Sequence, residues 1–313
     1  MKVIIPAAGI GKRLQPLTFF YPKPLLYLGT KRMIDYIMNS FKDTMVTEVI
    51  MVVGYKREML EDYLRKNYKQ NFTFVYQENQ AGLGDAILLG IEKSEVNERE
   101  DLLVILSDTI VDINMKKFTK KGKTKIAVKR VSDPQSFGIV ETEGTTIRDM
   151  YEKPEKPISD LAIVGLYYFA DINKIQESLN HIKNSGIKTK NEFQLTDAMK
   201  YLLESGESME AFVLKQWIDC GNFDMFIDSN KELLKREKIK NYYQKASISD
   251  SVLKENVSLF DNVTVKNSKL KNTVVFPNSI IENCSLNNSI IGENCIIKNF
   301  KGKIICSDKT IIN

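Results

Sequence analysis

The chain has 313 residues, 43% of them hydrophobic, enough for one large domain and a smaller one with a sizeable core. Lysine and arginine total 45 against 40 aspartate and glutamate, so the net charge of +5 demands no basic face for nucleic acid. No apolar run reaches the length of a membrane span, and the amino terminus enters a strand at once without a signal-peptide pattern, so a cytoplasmic protein with no membrane contact is expected.

The first 25 residues, MKVIIPAAGIGKRLQPLTFFYPKPL, carry the most information. Val3, Ile4 and Ile5 read as a buried strand that Pro6 should end, so the next loop leaves the carboxyl edge of a sheet, where α/β folds bind ligands. Gly9 and Gly11 lack Cβ atoms and let main-chain amides close on an anion, while Arg13 can fork two donors onto phosphate oxygens. Pro22 and Pro24 stiffen Lys23. No GK[ST] follows at the Walker spacing, and Lys12 and Arg13 stand where the helix of a dinucleotide fingerprint would open, so neither of those phosphate loops fits.

From residue 1 to 236 apolar runs alternate with amphipathic stretches, which predicts a Rossmann-like α/β domain with a mainly parallel mixed sheet. Strands are expected at 2–6, 48–53, 72–76, 102–106, 123–131, 139–141 and 162–169, and helices at 32–42, 56–66, 84–93 and 222–236. Asp108 follows the run LLVIL and Ser107, which should deliver its carboxylate at a strand end beside the glycine loop. A charged, aromatic linker at 237–245 precedes a repeat at 246–313. Its marker is asparagine at 256, 262, 267, 272, 278, 283, 288, 294 and 299, in steps of six, five and five, a period of 16. β-Branched residues recur in register with it, so the tail reads as a parallel β-helix with three short strands per coil and asparagine at left-handed corners.

The order glycine loop, Arg13, Leu14, Pro16, Leu17, Thr18 and then Pro22-Lys23-Pro24-Leu25 resembles the sugar-1-phosphate nucleotidylyltransferases, or nucleotide-sugar pyrophosphorylases. Downstream segments follow that family's order across nearly the whole first domain, closest in pattern to its glucose-1-phosphate thymidylyl- and uridylyltransferases. The resemblance implies an NTP loop built from Ala8, Gly9, Gly11, Lys12 and Arg13, with Arg13 and Lys23 acting on the phosphates. Lys12 departs from the Thr or Ser common at its position. In YQENQAGLGDA, Gln77 and Gly82 match the residues that read the nucleobase, and an amide side chain suits the edge shared by uracil and thymine. The segments SFGIVE, YEKP, IVGLYYF and NEFQLTDA imply a sugar-phosphate pocket of Gly138, Glu152, Lys153, Gly165 and Glu192.

Asp219, in WIDCG, matches the aspartate that joins the Asp108 equivalent to hold magnesium, although Ser107 replaces the glycine usual before the first aspartate. The implied reaction takes an NTP, dTTP or UTP favoured and GTP not excluded, and a sugar 1-phosphate, with glucose 1-phosphate the first choice. The products are an NDP-sugar and pyrophosphate. Alternatives are a mannose-1-phosphate guanylyltransferase or a non-catalytic regulatory subunit. The tail resembles the left-handed hexapeptide β-helix that follows this domain in several pyrophosphorylases, and its exposed edge suggests a homo-oligomer. Hexapeptide acyltransferases share that helix but use a histidine base, and the one histidine, His181, lies outside the repeat. The four cysteines, 220, 284, 295 and 306, lack CxxC spacing and read as small buried thiols.

Overall fold

A computed structural model describes residues 1–94 and 100–313. The chain divides into two compact units, one of Met1–Gly9 and Ile37–Trp217, the other of Ile10–Tyr36 and Ile218–Asn313. Among the described residues no helix is long and apolar enough to cross a membrane.

In chain order the main elements are β1 (Lys2–Ala7), α1 (Met33–Ser40), β2 (Glu48–Val53), α2 (Arg57–Asn67), β3 (Phe72–Tyr76), α3 (Leu83–Glu92) and β4 (Leu102–Ile105). Then come β5 (Thr124–Arg130), β6 (Gly138–Glu143), β7 (Thr146–Glu152), β8 (Leu161–Phe169), α4 (Ile172–Asn184), α5 (Leu195–Glu204) and β9 (Met209–Val213). The first unit is organised on one nine-stranded sheet of order β3-β2-β1-β4-β8-β5-β9-β7-β6. Its first four strands are parallel, as a βαβ pattern requires, and β8 reverses direction against β4 and β5. One face is covered by α3, α4 and α5, whose Ile87, Ile91, Ile175, Leu179, Ala198 and Met199 bury against Ile4, Val52 and Val104.

Pro6 does not end the first strand. It lies inside β1, opposite Val52 of β2, at a point where the ladder to β4 has already stopped at Ile4. With a neighbour on one side only, the missing N–H leaves no partner unsatisfied. His181 is an exposed residue of α4 whose ring stacks on Tyr201 at 3.9 Å, a surface role.

The second unit contains α6 (Phe223–Arg236) and a β-helix of parallel rungs. Val265, Ile281 and Ile297 stack in register, as do Leu270 with Leu286 and Val274 with Ile290, each pair 16 residues apart. All nine marker asparagines have φ between 45° and 60°, and their amides stack into ladders such as Asn256 to Asn272 at 2.8 Å and Asn272 to Asn288 at 3.0 Å. Asparagine adopts this backbone at little cost and its side chain bonds the next rung, which explains the repeat. The residue after each marker is buried, except the half-buried Phe300 at the last rung. All four cysteines are buried, and none is in a disulfide.

The unit division differs from boundaries at 236 and 245. The stretch assigned to a linker already pairs with the coil, Asn241 and Tyr242 lying parallel to Val257 and Ser258. Both α6 and the 10–36 segment pack on the coil through a buried polar knot. Asn230 Oδ1 accepts from the Gly29 N–H and from Ser258 Oγ, each at 2.9 Å, and its Nδ2 donates to the Asn256 carbonyl at 3.1 Å. The Tyr27 ring meets Phe260 at 4.6 Å and Phe276 at 5.4 Å, and the Tyr21 hydroxyl donates to Glu293.

At the last rung Asp308 Oδ1 accepts from the Glu293 N–H at 2.9 Å. Burial pushes the Asp308 carboxyl up to about 6; that hydrogen bond opposes the shift and the Glu293 charge adds to it. A carboxyl raised in the fold contributes stability below its unfolded value of 3.8, and that contribution is lost as pH rises through about 6. Asp308→Asn keeps the acceptor and removes the charge, so its melting temperature should exceed that of the parent at pH 8 and converge with it below pH 4. Equal melting curves at pH 8 would contradict the assignment.

Candidate active site

In the first unit the site begins where strand order reverses. β2 and β3 extend the sheet to one side of β1 and β4 to the other, so the carboxyl ends of β1 and β4 bound the crevice in which open α/β sheets bind ligands. Ala8 and Gly9 leave β1 here, and Asp108 follows β4. The Ala8 carbonyl accepts from Gln80 Nε2 at 2.9 Å and from the Tyr55 N–H at 3.3 Å. A Cβ on Gly54 would stand 2.7 Å from that oxygen, so the glycine after β2 admits the loop. The turn carrying Asp108 is held by backbone and hydroxyl: the Thr109 N–H bonds the Leu106 carbonyl at 3.1 Å and Thr109 Oγ1 bonds the Val164 carbonyl at 2.8 Å.

Gly165, assigned to the sugar pocket by sequence, packs under this turn. At φ 82° it interrupts the pairing of β8, and a Cβ there would approach Leu106 Cδ1 to 2.6 Å and Thr109 Oγ1 to 2.7 Å. Tyr167, on β8, lies within the electrostatic reach of both Asp108 and Glu152. Its buried phenol is held well above its ordinary value by burial first, then by the carboxylates of Glu152 and Asp108. Glu152 Oε2 accepts from Thr196 Oγ1 at 2.8 Å, and a Cβ on Gly138 would sit 3.1 Å from the same oxygen. Lys153 adopts a left-handed backbone, φ 44°, with its N–H on the Phe137 carbonyl and its ammonium 3.6 Å from Glu152. Glu192 lies on a turn whose tip, Lys190 and Asn191, is left-handed, and it accepts from Gln194 Nε2 at 3.0 Å.

Gln77 extends β3, its N–H bonding the Val53 carbonyl at 2.9 Å, and its side chain is buried against the first turn of α3. Gly82 precedes that helix at φ 128°, pressed against the backbone of Phe193. Thus Gln77, Gly82 and the segment holding Glu192 belong to one connected region of the first unit.

The second unit carries the rest of the glycine loop. Gly11 is left-handed at φ 72°, and its carbonyl accepts from the Leu14 N–H and from Thr18 Oγ1. A side chain there would meet Thr18 at 3.0 Å and Lys23 at 3.3 Å, so Gly11 and Lys23 are neighbours. Lys12 and Arg13 are exposed on a single 3-10 turn, Lys12–Leu14, and Lys23 opens another, Lys23–Leu25, behind an extended Pro22. Asp219 ends the short strand Trp217–Asp219; its carbonyl accepts from Ser229 Oγ at 3.1 Å. A Cβ on Gly221 would lie 3.3 and 3.5 Å from its carboxylate oxygens, so a glycine there keeps them uncrowded. Among the described residues no group of three or more His, Cys, Asp and Glu forms a cage. Asp108 in the first unit and Asp219 in the second each present a hard carboxylate donor of the kind that suits magnesium, which takes few protein ligands and completes its shell with phosphate and water.

Sequence reasoning passed over Gln80, Asp85, Tyr167 and Thr196. Gln80 and Asp85 stand in the base-reading segment, Thr196 in NEFQLTDA, and Tyr167 in an unbroken apolar strand with no periodicity to single it out.

The chain belongs to the nucleotidyl transferase family, whose model matches residues 2–236. It is 34% identical over 235 residues to the bifunctional protein GlmU of Methanocaldococcus jannaschii, covering 75% of this chain and 54% of that one. It is 28% identical over 260 residues to the low-salt glycan biosynthesis nucleotidyltransferase Agl11 of Haloferax volcanii, covering 80% of this chain and 70% of that one. The fold superposes on a UDP-glucose pyrophosphorylase solved with UDP-glucose at a TM-score of 0.64 and 27% identity, covering 75% of this chain and 98% of that one. The chain therefore spans about half the length of the GlmU relative and nearly all of the pyrophosphorylase.

Proposed function

We propose that the protein transfers a nucleotidyl group from UTP or dTTP to a sugar 1-phosphate, glucose 1-phosphate first, releasing pyrophosphate. The observation that carries this reading is the placement of Ala8, Gly9 and Asp108 beyond the carboxyl ends of β1 and β4, at the switch point of the sheet. The pyrophosphorylase likeness over 98% of that chain supports a sugar 1-phosphate as the acceptor.

In this reading the amides of Ala8, Gly9 and Gly11 and the guanidinium of Arg13 hold the departing β- and γ-phosphates. Lys12 adds charge at the loop tip. Lys23 meets the charge that grows at the α-phosphorus, Lys153 neutralises the attacking sugar phosphate, and Glu152 accepts from sugar hydroxyls while Gly138 lets the ring approach. A magnesium ion bound to Asp108 and Asp219 would supply further charge neutralisation for the triphosphate. Displacement is in line, with no covalent enzyme intermediate. Retention of Arg13, Lys23, Asp108, Asp219 and Lys153 disfavours a regulatory subunit. We further read the coil as left-handed and as the surface through which a homo-oligomer assembles.

The decisive experiment is a matrix of NTPs against sugar 1-phosphates with pyrophosphate release as readout. Turnover is expected with UTP or dTTP and glucose 1-phosphate. Turnover with GTP and mannose 1-phosphate alone would favour the guanylyl reading, and no turnover with any pair would sink the enzymatic one.

A further inference from the structure

The side-chain amide of Gln77 is not free to choose its orientation. Its Nε2 donates to Asp85 Oδ2 at 3.0 Å, and the other oxygen, Asp85 Oδ1, receives the ammonium of Lys183 at 3.3 Å. Three elements meet in this chain: Gln77 follows β3, Asp85 is in the first turn of α3, and Lys183 is in the last turn of α4. A carboxylate at a helix amino terminus, beside a lysine, offers acceptors only. Gln77 can therefore turn only its NH₂ toward Asp85; the flipped amide would set two acceptor oxygens against each other. The remaining N–H and the carbonyl oxygen keep fixed positions.

Resting on the assignment of Gln77 as the base-reading residue, we propose that Asp85, held by Lys183, locks this amide so that the site accepts keto bases and rejects amino bases. A locked carbonyl oxygen requires a ring N–H donor, and the second amide N–H requires a neighbouring carbonyl. Uracil and thymine present that pair as N3–H and O4, and guanine presents it as N1–H and O6. Cytosine and adenine present the inverse, a ring-nitrogen acceptor beside an exocyclic amino donor, and would leave two buried groups unpaired. Asp85 is thus a positioning residue that sets base class without touching the reacting atoms, and Lys183 holds its far oxygen.

The test is a selectivity cycle: kcat/KM for UTP, dTTP, GTP, CTP and ATP with glucose 1-phosphate, alongside direct binding of UTP and CTP. In Asp85→Asn, Lys183 still takes the side-chain oxygen, so the new NH₂ faces Gln77 and flips it; the UTP-to-CTP ratio should fall about 100-fold, with CTP use rising in absolute terms. Lys183→Met leaves a carboxylate facing Gln77 and should keep the parent ratio. The double variant, and Asp85→Ala, which removes the lock without supplying a donor, should fall between. A merely structural role would lower use of all five nucleotides together. An unchanged ratio in Asp85→Asn and Asp85→Ala overturns the proposal. Gln77→Ala separates the two levels: if it collapses the ratio while the Asp85 variants do not, the lock is wrong, and if it too leaves the ratio intact, Gln77 does not read the base.

Discussion

Asp108→Asn and Asp219→Asn should each lower pyrophosphate release by about three orders of magnitude or more, the loss expected when a charge that neutralises a reacting phosphate is removed. The substitution preserves shape, and the backbone at each position is held by other groups. The turn at Asp108 rests on the Thr109 N–H and hydroxyl, and Asp219 is tied through its carbonyl to Ser229. Melting temperatures should therefore change little. The magnesium concentration needed for half-maximal activity should rise in whichever variant keeps measurable turnover. Full activity in both would refute their assignment as metal ligands, whereas loss in one alone would leave that residue as the sole carboxylate ligand of the metal.

What the sequence disclosed follows from how local the causes are. β1 and β2 are runs of buried, mostly β-branched residues, and 48–53 and 72–76 were readable to the residue because no polar position interrupts the first and turn residues flank the second. β7 and β9 escaped notice because each has one partly exposed face and takes its register from neighbours distant in sequence. The coil announced itself through a backbone requirement, a left-handed corner every five or six residues, that asparagine alone met repeatedly. The same rule could not reveal that 10–36 belongs with that coil, since the bonds to Asn230 and the ring contacts of Tyr27 join residues 200 or more apart. In the candidate site, the glycines, cations and carboxylates were read from their motif spacing. Tyr167, Thr196 and Asp85 were not, because each acts only through a partner brought to it by the fold, as Thr196 is to Glu152.

Gly82→Ala should be the most damaging single-methyl change in the chain's first unit. The residue has φ 128°, a region open to glycine, and an added Cβ would stand 2.4 Å from the Phe193 carbonyl oxygen, 2.7 Å from its nitrogen and 2.9 Å from its carbonyl carbon. These are backbone atoms, and two of them are committed: the Phe193 N–H bonds the Ala81 carbonyl at 2.8 Å and its carbonyl accepts from the Gly84 N–H at 2.9 Å. Relief requires parting the base-reading loop from the segment that holds Glu192 and Thr196, which costs both bonds. Strain and lost bonds together predict a destabilisation of about 3–5 kcal/mol and loss of nucleotide binding. Gly186→Ala isolates the conformational part, because Gly186 has φ 67° with open space around its Cβ; it should cost only about 1 kcal/mol and leave binding intact. Urea unfolding of the two variants reads the difference. Equal losses would mean that backbone strain alone accounts for Gly82 and that the contact with Phe193 does not hold the two segments together.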